Sequence, residues 1–338
     1  MSGSFTKKHS VFIALFFSVA VFFLFGAYHI TKFETSDEYL WKYTRIPQYW
    51  DAIQDQNWKK TYINDKPGVT VALFSGLGLL FEPDPKSHVI KNSEMTKNTF
   101  YTIYDLERTE TINASLRYPV LIFNSLFIIV LFWLIRKATN DDRLALLASF
   151  FIASSPILIG ISQMDNPDSF LWSFSAASIF SYFALLRTGE KKFILLAGLF
   201  TGMSLLSKYT ANILFPIYLL ALFSNYFFDF KNLSQNDGSK RYFLRGILDF
   251  FLIFLVSSAV FSIFLPAVFV DPNYLYEGTI GFSGLKMLLW PILGVLGAVS
   301  LDAWIFKSRF MNLLSAFIHD QRRNILSLTA IFILGTFF

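Results

Sequence analysis

A succession of long apolar runs, each bounded by polar or charged residues, limits this chain more than any other feature. A helix needs about 20 predominantly apolar residues to cross the roughly 30 Å hydrocarbon core of a bilayer. In lipid, only helices and closed barrels satisfy every backbone N–H and C=O. The runs predict helices at about 11–29, 118–135, 144–162, 168–186, 193–207, 210–228, 246–270 and 285–305. Composition agrees, with 54% hydrophobic residues, 41 Phe and only 16% charged residues, as expected of a chain whose solvent is mostly lipid. The expected fold class is therefore all-α integral membrane, a multi-spanning helical bundle of about 8–9 spans, with residues 1–338 forming one transmembrane domain. A last run opens at Ile325, but Phe338 ends the chain about 14 residues later. That is short for a span, and predicts a C-terminally truncated piece of a longer protein.

Lys7 and Lys8 before an apolar stretch resemble a secretory signal peptide. The stretch Val11 to Tyr28 is rich in bulky Phe and has no small-residue cleavage site, so it reads as a retained span. There is no cysteine, which excludes disulfides and thiolate chemistry. Orientation follows from Lys and Arg, which gather in short cytoplasmic loops. With the N-terminus inside, the cytoplasmic segments hold sixteen of them, from Lys7 and Lys8 through Arg136, Lys137 and Arg143 to Arg322 and Arg323, and the short outer turns hold only Lys208 and Lys286. This distribution accounts for the net charge of +5 without a nucleic-acid partner. A bacterial plasma (inner) membrane is the expected location.

The first outer loop, about 30–117, is the long one. Val69 to Phe81 is apolar but too short to span, contains Gly76 and Gly78, and is followed by Pro83 and Pro85. A re-entrant or interfacial helix fits that length. Tyr39 to Trp58 mixes Tyr and Trp with Lys, Arg, Asp and Gln, the composition of a helix at headgroup level. The loop is expected to fold back onto the membrane surface.

This loop also carries the chemistry. Asp37 and Glu38 follow the first span directly, so both carboxylates start near the outer interface, and adjacent helical residues point about 100° apart, so one acts and the other supports it. The structural alternative is that Ser36 caps a surface helix whose dipole Asp37 and Glu38 complement. Lys66, before Pro67-Gly68 and an apolar helix, either snorkels to the headgroups or attracts a phosphate to a helix N-terminus. Arg117 opens the second span as an interfacial anchor or a second cation. In the turn Gln163-Met164-Asp165-Asn166-Pro167-Asp168, Asn166 and Pro167 read as N-cap and first helical residue, with Asp168 at the positive end of the dipole. Asp165 and Asp168 nevertheless share Asp37's side, and acids at a membrane interface are costly enough to point to function.

The order of these elements resembles the multi-spanning C-type glycosyltransferases, the group of protein O-mannosyltransferases and lipid A aminoarabinose transferases. It comprises a first span, an acidic pair, an interface-hugging loop, an acid-Lys-Pro motif at Asp65-Lys66-Pro67, Arg117 at the second span, Asp168 before the fourth, and Gly198-Leu199-Phe200-Thr201-Gly202-Met203-Ser204-Leu205-Leu206-Ser207-Lys208. The resemblance covers about 11 to 300. It implies a polyprenyl-phosphate-linked sugar as donor, a hydroxyl acceptor on a glycan, lipid or protein, and inverting transfer on the outer face. Asp37 would be the general base and Glu38 its partner in the acidic pair. Lys66 would hold the donor phosphate, and Arg117 and Lys208 would match less specific phosphate or headgroup positions. Asp65 takes the place of an acid that contributes to a metal site in some members. No histidine can be assigned beside it, so no metal ligands are assigned, and a divalent metal is the one cofactor left open.

Two other classes compete. An envelope polysaccharide polymerase or ligase would have its large outer loop later in the chain. A transporter would show ionisable or broken helices near mid-membrane or an internal repeat, whereas the polar residues here gather at one face. His9, His29, His88 and His319 are scattered without ligand spacing. Asn113-Ala114-Ser115 and Asn232-Leu233-Ser234 match a glycosylation acceptor pattern, and Asn232 to Lys240 reads as a flexible linker.

Overall fold

The computed structural model describes residues 2–33, 35–90, 103–104, 106–228 and 239–321; the run from Ile325 and most of the stretch 232–240 lie outside them. The helices are α1 (Ser2–Ala27), α2 (Glu38–Leu40), α3 (Ile46–Gln54), α4 (Val69–Ser75), α5 (Leu106–Thr139), α6 (Asp142–Ala153), α7 (Pro156–Ile161) and α8 (Asp168–Thr188). They continue with α9 (Lys192–Ser207), α10 (Leu214–Phe228), α11 (Ser239–Phe264), α12 (Ala267–Val270), α13 (Asn273–Gly278), α14 (Ser283–Trp304) and α15 (Arg309–Asp320). The extended structure among the described residues is one two-residue antiparallel pair, β1 (Val89–Ile90) with β2 (Ile103–Tyr104). Among the described residues, five helical segments are long and apolar enough to cross a membrane: Ser10–Ala27, Thr109–Thr139, Asp168–Thr188, Tyr209–Phe227 and Arg241–Phe264. The chain is an all-α integral membrane protein, as its apolar runs predict.

Several bounds differ from the expected ones, each for a local reason. The run at 144–162 is two helices, because Pro156 disfavours a helical residue before it and Ser155 turns extended (φ −75°, ψ 114°) at the start of α7. Helix α11 begins before the apolar run and stops at Phe264, two residues ahead of Pro266. Helix α9 has 16 residues, about 24 Å at 1.5 Å per residue, less than the hydrocarbon core. Helix α5 opens twelve residues earlier than the apolar run and keeps Pro119 inside it. Proline has no N–H to offer the carbonyl four residues back, which is that of Ser115. The first loop comes against that same carbonyl at Gly78, where a Cβ would lie 2.1 Å from Ser115 O.

Two compact units divide the chain. The first, Met1–Asn212 with Val256–Phe282, is centred on α5, α8 and α9. Phe74 of α4 lies 4.3 Å from Phe123 and 5.0 Å from Phe170, and Phe127 meets Phe200 edge-on at 5.7 Å. Small residues bring α8 and α9 together, with Ser178 and Thr201 hydroxyls 2.7 Å apart and those of Ser175 and Ser204 2.6 Å apart, the usual packing device where lipid offers no hydrophobic drive. The second unit, Ile213–Leu255 with Ser283–Phe338, pairs α10 with the first half of α11. Tyr226 packs 4.6 Å from Phe243 and its hydroxyl lies 3.0 Å from Asn312 Oδ1. Buried Asp302 accepts from Phe310 N and Met311 N at 3.1 and 3.0 Å, capping α15.

The first loop packs against protein. Helix α2, a π-helical turn (Trp41–Arg45) and α3 run on as one helical stretch, burying Trp41, Tyr43, Ile46, Tyr49 and Ala52. Leu77, Leu80 and Phe81 beyond α4 stay exposed, the apolar edge an interfacial segment presents to lipid.

Candidate active site

The end of α1, the first third of α5, the turn before α8 and the end of α9 lie on one side of the first unit, and the first loop closes over them. Arg117, three turns into α5, is fully buried. Its Nε and Nη2 donate to Glu38 Oε1 and Oε2 at 2.9 and 2.6 Å, and its Nη1 donates to Ile30 O. The Phe33 ring lies 4.4 Å from the guanidinium. Glu38 is equally buried and also accepts from Asp165 N at 2.9 Å and from Thr35 N and Oγ1 at 3.0 Å. Its structural role is an anchor, not the helix-dipole partner of the surface-cap alternative. Ser36 makes no cap, since the N-cap position of α2 is Asp37, without a side-chain bond.

Lys42, one turn after Glu38, is a second buried cation. Its Nζ sits 3.8 Å from Glu38 Oε1 and donates to Asn113 Oδ1, while Asn113 Nδ2 donates to Thr31 O at 3.0 Å. The buried Asn113 is thereby spent on internal contacts and is no glycosylation acceptor in this fold; Asn232 lies outside the described residues. Asp165 completes the cluster, fully buried, with Oδ1 2.7 Å from Ser75 Oγ. Two acids and two bases balance one another, which a buried set of charges requires.

The two acids titrate in opposite directions. Burial alone would raise Glu38, but Lys42 and the hydrogen-bonded Arg117 outweigh it and hold the carboxyl below its usual 4.5. Asp165 is pushed up from 3.8 to about 6 by burial first, with Glu38 adding to the shift and Lys42, Ser75 and Arg117 opposing it. The geometry agrees, because the Ser75 hydroxyl also lies 2.9 Å from Leu116 O. When its single proton goes there, a protonated Asp165 can donate to Ser75 Oγ. Stability held by the Asp165 proton is complete below about 4 and is lost as pH rises through about 6. Stability held by ionised Glu38 is lost only at lower pH, as pH falls through its depressed value. Asp165→Asn is thus expected to gain in Tm over the parent as pH rises from about 4 to about 6, with a constant difference above. Melting curves in detergent check this, and a pH-independent difference would refute it.

Asp37 parts company with Glu38 and is exposed. Together with Asp65, also exposed, it acts electrostatically on Arg45, whose guanidinium lies over the Trp41 ring at 4.7 Å. The Lys66 side chain is exposed and makes no ion pair among the described residues. Its position is set by Gly68, which adopts φ +64° where a Cβ would sit 1.9 Å from Trp41, and whose N–H donates to Ser207 O at 3.2 Å. The acid-Lys-Pro motif is thereby tied to the end of α9. Lys208 follows there, partly exposed, with Nζ 3.0 and 3.2 Å from the Asp168 carboxylate oxygens. Asp168 N in turn donates to Asn166 Oδ1 at 2.9 Å, a turn bond ahead of the helix; the N-cap position of α8 is Pro167 and its first residue Asp168, one residue later than expected. No three His, Asp or Glu side chains among the described residues are grouped to hold a metal ion.

Of the residues proposed from sequence, the fold brings Glu38, Arg117 and Asp165 together in the interior, pairs Asp168 with Lys208, and leaves Asp37, Asp65 and Lys66 exposed. Arg117 is enclosed and engaged by Glu38, so a phosphate would have to displace that pair to reach it. Lys42, Asn113, Ser75 and Arg45 escaped the reading of the sequence. Two helical spacings carried a signal: Glu38 to Lys42 and Asn113 to Arg117 are both i to i+4, the separation that puts side chains on one face.

Residues 109–233 match the family model of dolichyl-phosphate-mannose-protein mannosyltransferases, a segment that holds Asn113, Arg117, Asp165, Asp168 and Lys208. Among solved structures, the apo oligosaccharyltransferase of Archaeoglobus fulgidus superposes with a TM-score of 0.53 at 16% identity, over 96% of this chain and 40% of that one. The oligosaccharyltransferase AglB from Archaeoglobus fulgidus, in complex with an inhibitory peptide and a dolichol-phosphate, gives 0.52 at 15% identity, over 95% and 39%. The chain thus spans about two-fifths of the length of these proteins. No curated protein matches it. At such identities the likeness is one of fold, and it reaches nearly every residue. The chain shares the fold of these oligosaccharyltransferases, and its residues 109–233 are similar to the dolichyl-phosphate-mannose-protein mannosyltransferase family model.

Proposed function

We propose that the protein is a membrane glycosyltransferase that moves a sugar from a polyprenyl-phosphate donor to an acceptor hydroxyl, with inversion, on the outer face of the membrane. The observation that carries this reading is the contrast within the acidic pair, an exposed Asp37 next to a Glu38 locked in the interior by Arg117. An anchored neighbour fixes the backbone from which the reacting carboxylate extends, the support a catalytic group needs. The fold, the family match and the dolichol-phosphate bound by AglB favour a lipid-phosphate donor.

In this reading the acceptor oxygen attacks the anomeric carbon while its proton passes to Asp37. The bond from the anomeric carbon to the phosphate oxygen breaks, and the phosphate leaves on its lipid without needing a proton. Lys66 meets the growing negative charge through charge-assisted hydrogen bonds, and Lys208 with Asp168 sits at the same end of the bundle. The positive residues of the short loops support a cytoplasmic N-terminus and an extracytoplasmic site, in a plasma membrane.

The test is transfer of radiolabelled sugar from a panel of polyprenyl-phosphate donors in membranes containing the protein. No transfer with any donor from folded protein would overturn the reading. Lys66→Ala is expected to weaken affinity for the donor roughly tenfold or more, the scale of a lost charged hydrogen bond, with an unchanged Tm. Unchanged donor affinity, read by titration of the lipid, would remove Lys66 from the phosphate site.

A further inference from the structure

We propose that the first unit carries a saccharide subsite beside Asp37, formed by the stacked Tyr62 and Tyr274 with Asp65 and Glu277 at its rim and Tyr209 at its base. It rests on the glycosyltransfer reading and states where a sugar ring is held. Tyr62, in the first loop, and Tyr274, in α13, stack at 4.1 Å with planes 17° apart, and both are half-exposed. Two contacts clasp their segments together: Ala267 N donates to Thr61 Oγ1 at 2.9 Å and Tyr49 OH donates to Phe264 O at 2.8 Å. Asp65 and Glu277 are exposed and both act on the Tyr62 hydroxyl. Asp65 shares Arg45 with Asp37, which connects the tyrosine pair to the proposed base.

Beneath them, two buried oxygens meet no hydrogen-bond partner among the described residues. One is the hydroxyl of Tyr209, a residue 8% exposed and within electrostatic reach of Tyr62, Tyr274, Asp65 and Glu277. Gly278 makes room for its ring, since a Cβ there would lie 2.9 Å from it. The other is Asn212 Oδ1, whose amide nitrogen donates to Gly278 O at 2.9 Å. Buried polar groups are ordinarily paired, so two orphans at one place point to a polar ligand.

The donor set selects the ligand's chemistry. Ionised carboxylates only accept hydrogen bonds. Asp65 and Glu277 both act on the Tyr62 hydroxyl, and Asp37 and Asp65 act on Arg45. A phosphate would be repelled here and drawn instead to Lys66, the residue after Asp65. A sugar ring brings several hydroxyl donors at its edge and a C–H face that suits the negative face of an aromatic ring. Neighbouring residues 65 and 66 would thus sort sugar from phosphate. The ring is either the transferred sugar or a saccharide acceptor, and kinetics separates the two.

The test uses the full chain in nanodiscs with dolichyl phosphate, dolichyl-phosphate-mannose and other polyprenyl-phosphate sugars as titrants, and Tyr274→Ala, Tyr274→Phe and Glu277→Gln as variants. The expected result is that a sugar-bearing lipid binds more tightly than dolichyl phosphate. Tyr274→Ala and Glu277→Gln should remove roughly tenfold of that preference, leaving dolichyl phosphate affinity unchanged, while Tyr274→Phe keeps the ring and the preference. If the ring belongs to the acceptor, the same variants raise the KM for methyl mannoside or another glycoside acceptor, with the donor KM unchanged. Asp37-dependent transfer with both KM values as in the parent would overturn the subsite while leaving the transferase reading intact. If Asp37-dependent transfer is absent altogether, that reading fails, and the subsite falls too unless some sugar is still held in a Tyr274-dependent way.

Discussion

Asp37→Asn is expected to lower the rate of sugar transfer by roughly 10²–10⁴-fold, the range for removal of a positioned general base. The loss should fall on kcat, because a hydroxyl acceptor is a poor nucleophile whose proton must leave during attack. Donor affinity should be unaffected, since the phosphate is assigned to Lys66. Folding should be unaffected as well: Asp37 is exposed, and Arg45 keeps its carboxylate neighbour Asp65 and its stack on Trp41. Transfer assays on the purified variant, beside its melting curve, read all three quantities. Full retained activity would remove Asp37 as the base, and a lowered Tm would turn it into a structural residue.

Arg117→Met is expected to cost about 3–5 kcal/mol of stability, because it leaves the Glu38 carboxylate buried without its bidentate partner. Stability of integral membrane proteins is of the same order as that loss, so the variant should run as an aggregate or melt far below the parent in detergent. Adding Glu38→Gln removes the stranded charge and should recover part of the stability. It should not restore full transfer, because the backbone of Asp37 would lose its anchor. The pair of variants also separates two roles for Arg117. A phosphate ligand would show normal stability with weakened donor binding, whereas an internal anchor gives the reverse.

The buried set around Glu38 explains why some site residues were legible and others were not. Asp37, Glu38, Lys66, Arg117, Asp165 and Lys208 stand out because charge at the ends of apolar runs is costly and sparse. Whether such a charge points inward or outward is a different matter. Glu38 and Asp37 are neighbours of like chemistry, yet one is enclosed by Arg117, Thr35 and Asp165 N and the other is open. That choice depends on the register of a helical stretch containing a π-turn, which shifts the faces that an ideal helix would present. Lys42 likewise reads as a surface lysine until Asn113, 71 residues away, is brought to it.

For the fold, the apolar runs by themselves determined the class of solvent, the all-helical architecture and most of the long helices, because backbone polar groups in lipid leave no other arrangement. The breaks at Ser155-Pro156 and before Pro266 had a local cause in the restriction proline places on its predecessor, but the apolar runs at 144–162 and 246–270 read straight through both. Only the tertiary structure decided that the first loop packs its aromatic face inward, that Gly78 meets the carbonyl freed by Pro119, and that Tyr62 stacks on Tyr274 across more than two hundred residues of chain. These contacts join segments far apart in sequence, where no periodicity or spacing records which side chains will meet; burial and hydrogen-bond satisfaction select them once the helices have assembled.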